Sequence, residues 1–381
     1  MNWKIEGIKK LDGIIGGAGC AVSKFLVSPR AYEEKDNPKI LVIRPGGIGD
    51  AVLLYPALSE LRKSIPGSRI DVLAEKRNAG VLDGCPYINN LLLYDREFHK
   101  TIYRVIKEGY DIVIDTEQWH RLSAVIAYLT RAPVRVGYGT NQRSELFTES
   151  VSYSHSDYEA RSFLNLVTAV TGVQYEFKEN KPFVAVEKGA YGGFEDTVTG
   201  FRNGKEAVVG IFAGATVPER RWGADRFGAL SGDLSREGIG IVLVGGKGDA
   251  RDSAPVKEFA DDGFVLDFTG KTSLKETAYI ISRLDLFVSG DTGLMHVAYG
   301  VSTPTVSLFG AGIQEKWAPP GVNHVAINKH VQCSPCTKFG YTPSCPYGVR
   351  CLGEITVEEV RQSVLDLLQR SHVLQENRPA P

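Results

Sequence analysis

Residues 39–63, KILVIRPGGIGDAVLLYPALSELRK, decide how this chain folds. KILVIR is a short β-branched run that reads as a strand, RPGGIGD is a glycine-rich turn, and residues 51–63 have the length of a helix. Strand, glycine turn and helix in that order begin a crossover unit. Such units are right-handed and build a parallel sheet covered on both faces.

The same alternation runs outward from this stretch. RIDVLAE (69–75), NNLLLYD (89–95) and DIVIDT (111–116) read as further strands, with helix-length segments between them such as residues 100–108. The rhythm ends after the helical stretch 158–170, and a polar, Gly-rich passage follows. It restarts with AVVGIFAG (207–214), IGIVLVGG (239–246), DLFVSG (285–290) and PTVSLFG (304–310). The expected class is therefore α/β, with two doubly wound, Rossmann-like parallel sheets. Residues 38–175 form the first domain, 176–205 a linker region, and 206–355 the second domain with a four-cysteine loop at 333–351. Residues 356–381 form a C-terminal helix and tail, and Thr and Glu residues suit the positive end of that helix. Ligands of open parallel sheets sit beyond the carboxyl ends of the strands, so both halves are expected to present their loops to one shared central cleft.

Composition narrows the function. The 381 residues suit two domains. Lys and Arg number 44 against 45 Asp and Glu, which lacks the basic surplus of a nucleic-acid binder. No run approaches the roughly 18 apolar residues of a membrane-spanning helix. Residues 1–37 are an amphipathic extension. Trp3, Ile5, Ile8, Leu11, Ile15, Val22, Phe25 and Leu26 recur at near-helical spacing beside Lys4, Lys9, Lys10 and Lys24. That pattern suits an anionic membrane surface or, the reading favoured here, packing on the protein's own body. The glycines at 13, 16, 17 and 19 each weaken a helix by about 1 kcal/mol. A secretory or lipoprotein leader ending in GAGC is rejected because Asp12 interrupts its apolar core.

Four loops carry the candidate chemistry. In RPGGIGD, Gly46, Gly47 and Gly49 let a ligand approach the main chain at a helix start, but Val52 stands where a dinucleotide fingerprint needs its third glycine. Asp50 is placed to take a proton from a hydroxyl; taken alone, its plainer role is capping the first turn. GATVPERRW (214–222) supplies Thr216, Arg220 and Arg221, a hydroxyl and two guanidinium groups suited to a diphosphate or to solvated surface charge. In GGKGDAR (245–251), Asp249 either accepts from ribose hydroxyls or caps a helix. VSGDTGLMHVAYG (288–300) aims the amides near Thr292, Gly293 and Leu294 at a phosphate, with Asp291 and His296 beside them. Asp291 is read as bonding a sugar hydroxyl in preference to capping.

Taken in order, the GGIGD loop, the GAT…RRW loop, the GGKGD loop, and GDTGLMH followed by TPTVSLFG resemble glycosyltransferase family 9, the bacterial lipopolysaccharide heptosyltransferases. The resemblance covers roughly residues 39–369. It implies a GT-B architecture, with the acceptor mainly on the first domain and an ADP-activated sugar on the second. By the same resemblance Asp50 matches the catalytic base, Arg220 the phosphate-binding lysine, and Thr216 a donor-contacting threonine. Asp291, Thr292, Gly293 and His296 match the donor-binding turn, and Thr272 a position near the nucleotide. Arg for Lys at 220, and Ala215 where some members have a second Thr, depart from the pattern and bear on donor identity. The implied donor is ADP-heptose and the acceptor a lipid-linked glycan. The implied location is cytoplasmic, peripheral on the inner face of the cytoplasmic membrane.

Cys333, Cys336, Cys345 and Cys351 can either wrap one structural zinc or iron ion or stand as reduced thiols. Similar cysteines occur in family 9, and some related protein-modifying heptosyltransferases hold iron with four thiolates. Four protein ligands leave no open position for catalysis, so no cofactor is expected in the chemistry. No DxD carboxylate pair occurs either, so cationic side chains are expected to carry the leaving-group charge. The expected reaction is inverting transfer, with Asp50 as base and Arg220 on the departing diphosphate. Its alternatives are a sugar-nucleotide epimerase and a non-catalytic nucleotide-sugar-binding scaffold.

Overall fold

The computed structural model describes residues 12, 16–26, 28–31, 33, 35–179, 182–186, 192–338 and 340–376. The chain divides into two compact units, Met1–Phe177 and Lys178–Pro381. The first holds strands β1 (Lys39–Arg44), β2 (Arg69–Ala74), β3 (Asn90–Leu93), β4 (Ile112–Asp115), β5 (Val134–Tyr138) and β6 (Glu149–Val151). Their spatial order is β3-β2-β1-β4-β5-β6, and every pairing is parallel. In the central strand β1 all residues but Lys39 are buried, as a strand covered on both faces requires.

The helix expected over residues 51–63 is two helices, Ile48–Leu53 and Tyr55–Ser64. Pro56 has no N–H with which to continue the ladder, so the break falls at Leu54. Of the amphipathic extension, residues 12, 16–26, 28–31, 33 and 35–37 are described. Its helix Gly17–Leu26 packs Cys20 against Ala124, Tyr128 and Leu146. A side chain at Gly16 would come within 2.8 Å of Arg121 Cβ, and one at Gly19 within 3.2 Å of Val125. Gly16, just before the helix, and Gly19 within it therefore permit its close approach. Asp12 is buried and accepts from the amides of Arg121 (3.0 Å) and Leu122 (2.9 Å), capping the helix Arg121–Leu129. The membrane-facing reading rested chiefly on Trp3, Ile5, Ile8, Leu11 and Ile15, which lie outside the described residues.

The second unit repeats the plan with β7 (Ala207–Phe212), β8 (Ile239–Leu243), β9 (Val265–Asp267), β10 (Leu286–Gly290), β11 (Thr305–Phe309) and β12 (His324–Asn328). The order is β12-β11-β10-β7-β8-β9, again all parallel. The passage expected to be a linker contains the helix Gly192–Arg202, which sets Phe194 edge-on to Phe268 and pairs Arg202 with Asp285 at 2.5 Å. The C-terminal helix Val357–Glu376 adds Val360, Val364 and Leu367 to the core formed by Phe227, Leu230 and Leu234. Thr356 and Glu359 exchange hydrogen bonds at its start, so the expected N-terminal signal is realised. No described helix is long and apolar enough to cross a membrane.

At the last residue of β4, Asp115 pairs with Arg143 at 2.5 Å with neither side chain exposed. Removing one partner strands a buried charge. Asp115→Ala is expected to lose roughly 3–5 kcal/mol in urea unfolding, and adding Arg143→Met to recover most of that loss.

Candidate active site

Both sheets share one feature. β2 lies on one side of β1 and β5 on the far side of β4, so the chains leaving the neighbours β1 and β4 diverge. β7 and β10 repeat this in the second unit, since β8 and β11 lie on opposite sides. These reversal points are where open parallel sheets hold ligands.

In the second unit, Trp222 is buried, donates to the Ile355 carbonyl at 2.9 Å and meets Phe227 edge-on at 4.9 Å. That anchor holds the loop after β7. Within the loop Arg221 turns back onto the Ala215 carbonyl (3.0 and 2.9 Å) and faces Asp252 at 3.5 Å, which leaves Arg220 as the cation of the reversal point. Arg220 Nη1 lies 3.0 Å from Asp291 Oδ2, so the pair spans the loops after β7 and β10. The Arg220 Nη2 group donates to Thr337 Oγ1 at 3.5 Å, and its buried Nε has no partner among the described residues. Two glycines make this geometry possible. A Cβ at Gly290 would press on the Arg220 carbonyl at 2.9 Å, and one at Gly312 would overlap the Asp291 carboxylate.

Thr292 is the N-cap of the helix Gly293–Gly300 and makes no side-chain capping bond. His296, one turn along, is buried and edge-on to Trp317. Asp249 stands at the N-cap of the helix Ala250–Phe259 without a side-chain capping bond, and its carboxylate accepts from the Gly246 amide of the turn before it at 2.8 Å. Its carboxylate also fills the space beside Gly214, where a Cβ would come within 2.6 Å of Oδ1. Thr216 is exposed at the head of the Arg220 loop. Thr272 lies beyond β9, its hydroxyl 2.8 Å from that of Thr277; none of its contacts among the described residues joins it to Arg220. Asp291, read from sequence as a partner for a sugar hydroxyl, also stands as the counter-charge of Arg220.

In the first unit, Asp50 follows β1 in the short helix Ile48–Leu53, whose N-cap position is Gly47 and which has no side-chain cap. The plainer capping role is therefore not taken. Asp50 Oδ1 accepts from Gln118 Nε2 at 3.2 Å and lies 3.6 Å from Arg44 Nη1. Its other oxygen, Oδ2, sits over Gly47, where a Cβ would approach to 2.5 Å. Gly46 holds φ +99°, a conformation that favours glycine. Gly49 is buried within the same turn.

Arg44, Gln118 and Glu159 went unrecognised in the sequence. Arg44 is 1 % exposed, faces Glu117 at 3.4 Å, donates to the Thr116 carbonyl at 3.0 Å and lies over the Phe163 ring. Burial opposes its charge, yet Asp50, Glu117 and Glu159 outweigh that and raise its pKa above the ordinary arginine value. Burial likewise pushes the Glu117 carboxyl up, but Arg44, His120 and Arg143 together hold it below the usual range. An arginine directly after the apolar run Ile40, Leu41, Val42 and Ile43 was the available signal for Arg44.

The four-cysteine loop closes onto the second unit's reversal point. The amides of Cys336 and Thr337 both donate to the Ala311 carbonyl, at 3.1 and 2.9 Å. Cys351 is buried, with a Cβ at Gly310 held off only by 2.7 Å. Burial, then Cys345 and Cys333, raise the Cys336 thiol, so the sulfurs are electrostatic neighbours. Among the described residues, however, no group of three or more His, Cys, Asp or Glu is disposed to hold a metal ion.

Comparison with known proteins identifies the family and the fold. The family model described as glycosyltransferase family 9 (heptosyltransferase) matches residues 98–343, which begins after the Asp50 loop and spans the Arg220–Asp291 pair. Lipopolysaccharide heptosyltransferase 3 of Escherichia coli is 27% identical over 290 residues, 71% of this chain and 83% of that protein. A glycosyltransferase family 9 structure from Veillonella parvula has a TM-score of 0.72 at 22% identity, covering 90% of this chain and 100% of that one. E. coli heptosyltransferase WaaC, solved with ADP, has a TM-score of 0.65 at 18% identity, over 86% and 99% of the two chains. The fold is that of the GT-B heptosyltransferases. With the matched span covering well over half its length, the chain belongs to glycosyltransferase family 9 (heptosyltransferase) and is a glycosyltransferase.

Proposed function

We propose that this glycosyltransferase moves a heptose from ADP-heptose to a lipopolysaccharide core-type, lipid-linked acceptor with inversion at the sugar C1. The observation that carries the reading is Arg220. It is a cation held at the reversal point by Asp291, with a buried Nε lacking a partner among the described residues and the uncapped start of Gly293–Gly300 following the same strand as Asp291. An anionic diphosphate supplies what that Nε and those amides lack. The choice of ADP draws on WaaC, which was solved with that nucleotide. The acceptor draws on the lipopolysaccharide heptosyltransferases among the relatives.

In the proposed step Asp50 Oδ2 takes the proton of the acceptor hydroxyl while its oxygen forms the new bond to C1. The bond from C1 to the phosphate oxygen breaks, and its electron pair leaves with ADP. Arg220 and the amides after Thr292 stabilise the charge that grows there. Thr216, Asp249, Thr272 and His296 are proposed to line the nucleotide and sugar, and Gly46, Gly47 and Gly49 to admit the acceptor. No cofactor takes part. A lipid-linked acceptor implies work at the inner face of the cytoplasmic membrane. Exposed Phe98 and Tyr103, on the helix Phe98–Lys107 with Lys100, Arg104 and Lys107, support a peripheral contact there.

Asp50→Ala is expected to lower transfer by about 10²–10⁴-fold while ADP affinity stays as in the parent; undiminished turnover rules Asp50 out as the base. Arg220→Ala is expected to cost about 10²–10³-fold in kcat and to weaken ADP binding measured by calorimetry. In a thermal-shift screen, ADP-sugars are expected to raise the melting temperature more than UDP- or GDP-sugars at equal concentration. The reverse ranking reassigns the donor.

A further inference from the structure

We infer that Gln118 is a positioning residue that fixes which oxygen of Asp50 takes the acceptor proton, with Glu159 as the group that holds Gln118 in register. The inference rests on the reading of Asp50 as the base.

A glutamine amide has two N–H hydrogens on one end and an acceptor oxygen on the other. Gln118 Nε2 lies 3.2 Å from Asp50 Oδ1 and 2.5 Å from Glu159 Oε1. Both neighbours are carboxylates, so both hydrogens are used, and a flipped amide would set its oxygen against two anions. The orientation of the amide therefore follows from chemistry. The backbone is fixed too, because Thr140 Oγ1 donates to the Gln118 carbonyl at 2.6 Å.

Glu159 is 0 % exposed, at the start of the helix Glu159–Thr171, and its second oxygen accepts from Tyr153 at 3.1 Å. A carboxylate kept wholly out of water is costly unless its hydrogen bonds are met. Here those bonds hold the group that holds Asp50. With Oδ1 engaged by Gln118 and near Arg44, Oδ2 is the oxygen that no hydrogen bond reaches among the described residues, and Gly47 keeps the space over it open.

The charged and titratable groups around Asp50 come from several elements. Arg44 stands at the end of β1, Glu117 after β4, and Glu159 on its helix. Tyr138 ends β5, and its hydroxyl, pushed well above its ordinary value by burial and by Glu159, stays protonated. Tyr153 bonds Glu159, and Arg77 approaches Gly46. In this setting a donated hydrogen bond favours the Asp50 carboxylate, and the Glu159 charge disfavours it. The two residues therefore act on Asp50 with opposite signs.

The test is the pH profile of kcat for the full chain, with ADP-heptose and lipopolysaccharide acceptor, in Gln118→Met, Glu159→Gln and Asp50→Asn. Gln118→Met keeps the length and removes the donor. It is expected to lower kcat about tenfold or more, to raise the acid limb by about one pH unit, and to leave the donor KM unchanged. Glu159→Gln keeps the acceptor oxygen for Gln118 and removes the charge, and is expected to shift the same limb downward. General damage to the fold does not move one limb in two directions. Loss of kcat in both variants with the limb unmoved, or parental kcat and limb in Gln118→Met, overturns the inference while an inactive Asp50→Asn leaves the base reading standing. Undiminished turnover in Asp50→Asn overturns both.

Discussion

The order of strands in each sheet is the constraint on which the site depends. Once β1 is flanked by β2 and β4, and β7 by β8 and β10, the chains leaving those neighbouring strands have to part. No helix can cover the gap between them, because each connection is already committed to its own side. Polar groups are tolerated there at strand ends that would otherwise be buried. Each unit fills the position with a pair drawn from both loops, Asp50 with Gln118 in the first and Arg220 with Asp291 in the second. One topological rule, applied twice, thus supplies a carboxylate in one sheet and a guanidinium in the other.

Burial then decides what those groups need. A charge in a strand end close to the core is stable only with partners, and the partners found are multiple. Arg44 serves Asp50 and Glu117 while donating to the Thr116 carbonyl; Arg143 serves Asp115. The first unit gathers Asp50, Glu117 and Glu159 around Arg44, so its reversal point is rich in proton-accepting oxygen. The second places Arg220 close to a helix start, with one carboxylate beside it and a thiol-bearing loop behind. That difference in charge suits a base in one unit and an anion site in the other.

The sequence disclosed the central strands best. β1, β2, β4, β7, β8, β10 and β11 are short, largely apolar runs buried on both faces, and composition alone sets them apart. β6 and β9 are three-residue edge strands, Glu-Ser-Val and Val-Leu-Asp, too short to carry a pattern. The helix Gly192–Arg202 was hidden by its glycines, since its place is fixed by Phe194 and Arg202 packing on distant residues and not by propensity. Within the site, glycine turns pointed to Asp50 and Gly293 because a turn is local. Gln118 and Glu159 sit 68 and 41 residues from their partners along the chain and gave no local sign. Asp291 was visible as a residue but not as the counter-charge of Arg220, for the same reason.

The cysteine loop shows how far a motif can be read without its packing. Four thiols at close spacing suggest an ion, yet the groups that decide the loop's position are amides and hydroxyls. Cys336 and Thr337 donate to Ala311, and Ser334 donates to Gly310. Gly310 and Ala311 continue β11, and Gly312 after them makes room for Asp291. The loop therefore reaches Arg220 twice, through the Thr337 hydroxyl and through the glycine segment that seats its counter-charge. A hydrogen bond of 3.5 Å from one loop is a weak hold on a guanidinium, whereas Asp291 faces it as an opposite charge at 3.0 Å, a Coulombic pairing without a hydrogen bond. Arg220 is thus set chiefly by Asp291, with the cysteine loop bracing the strand end on which that pairing relies.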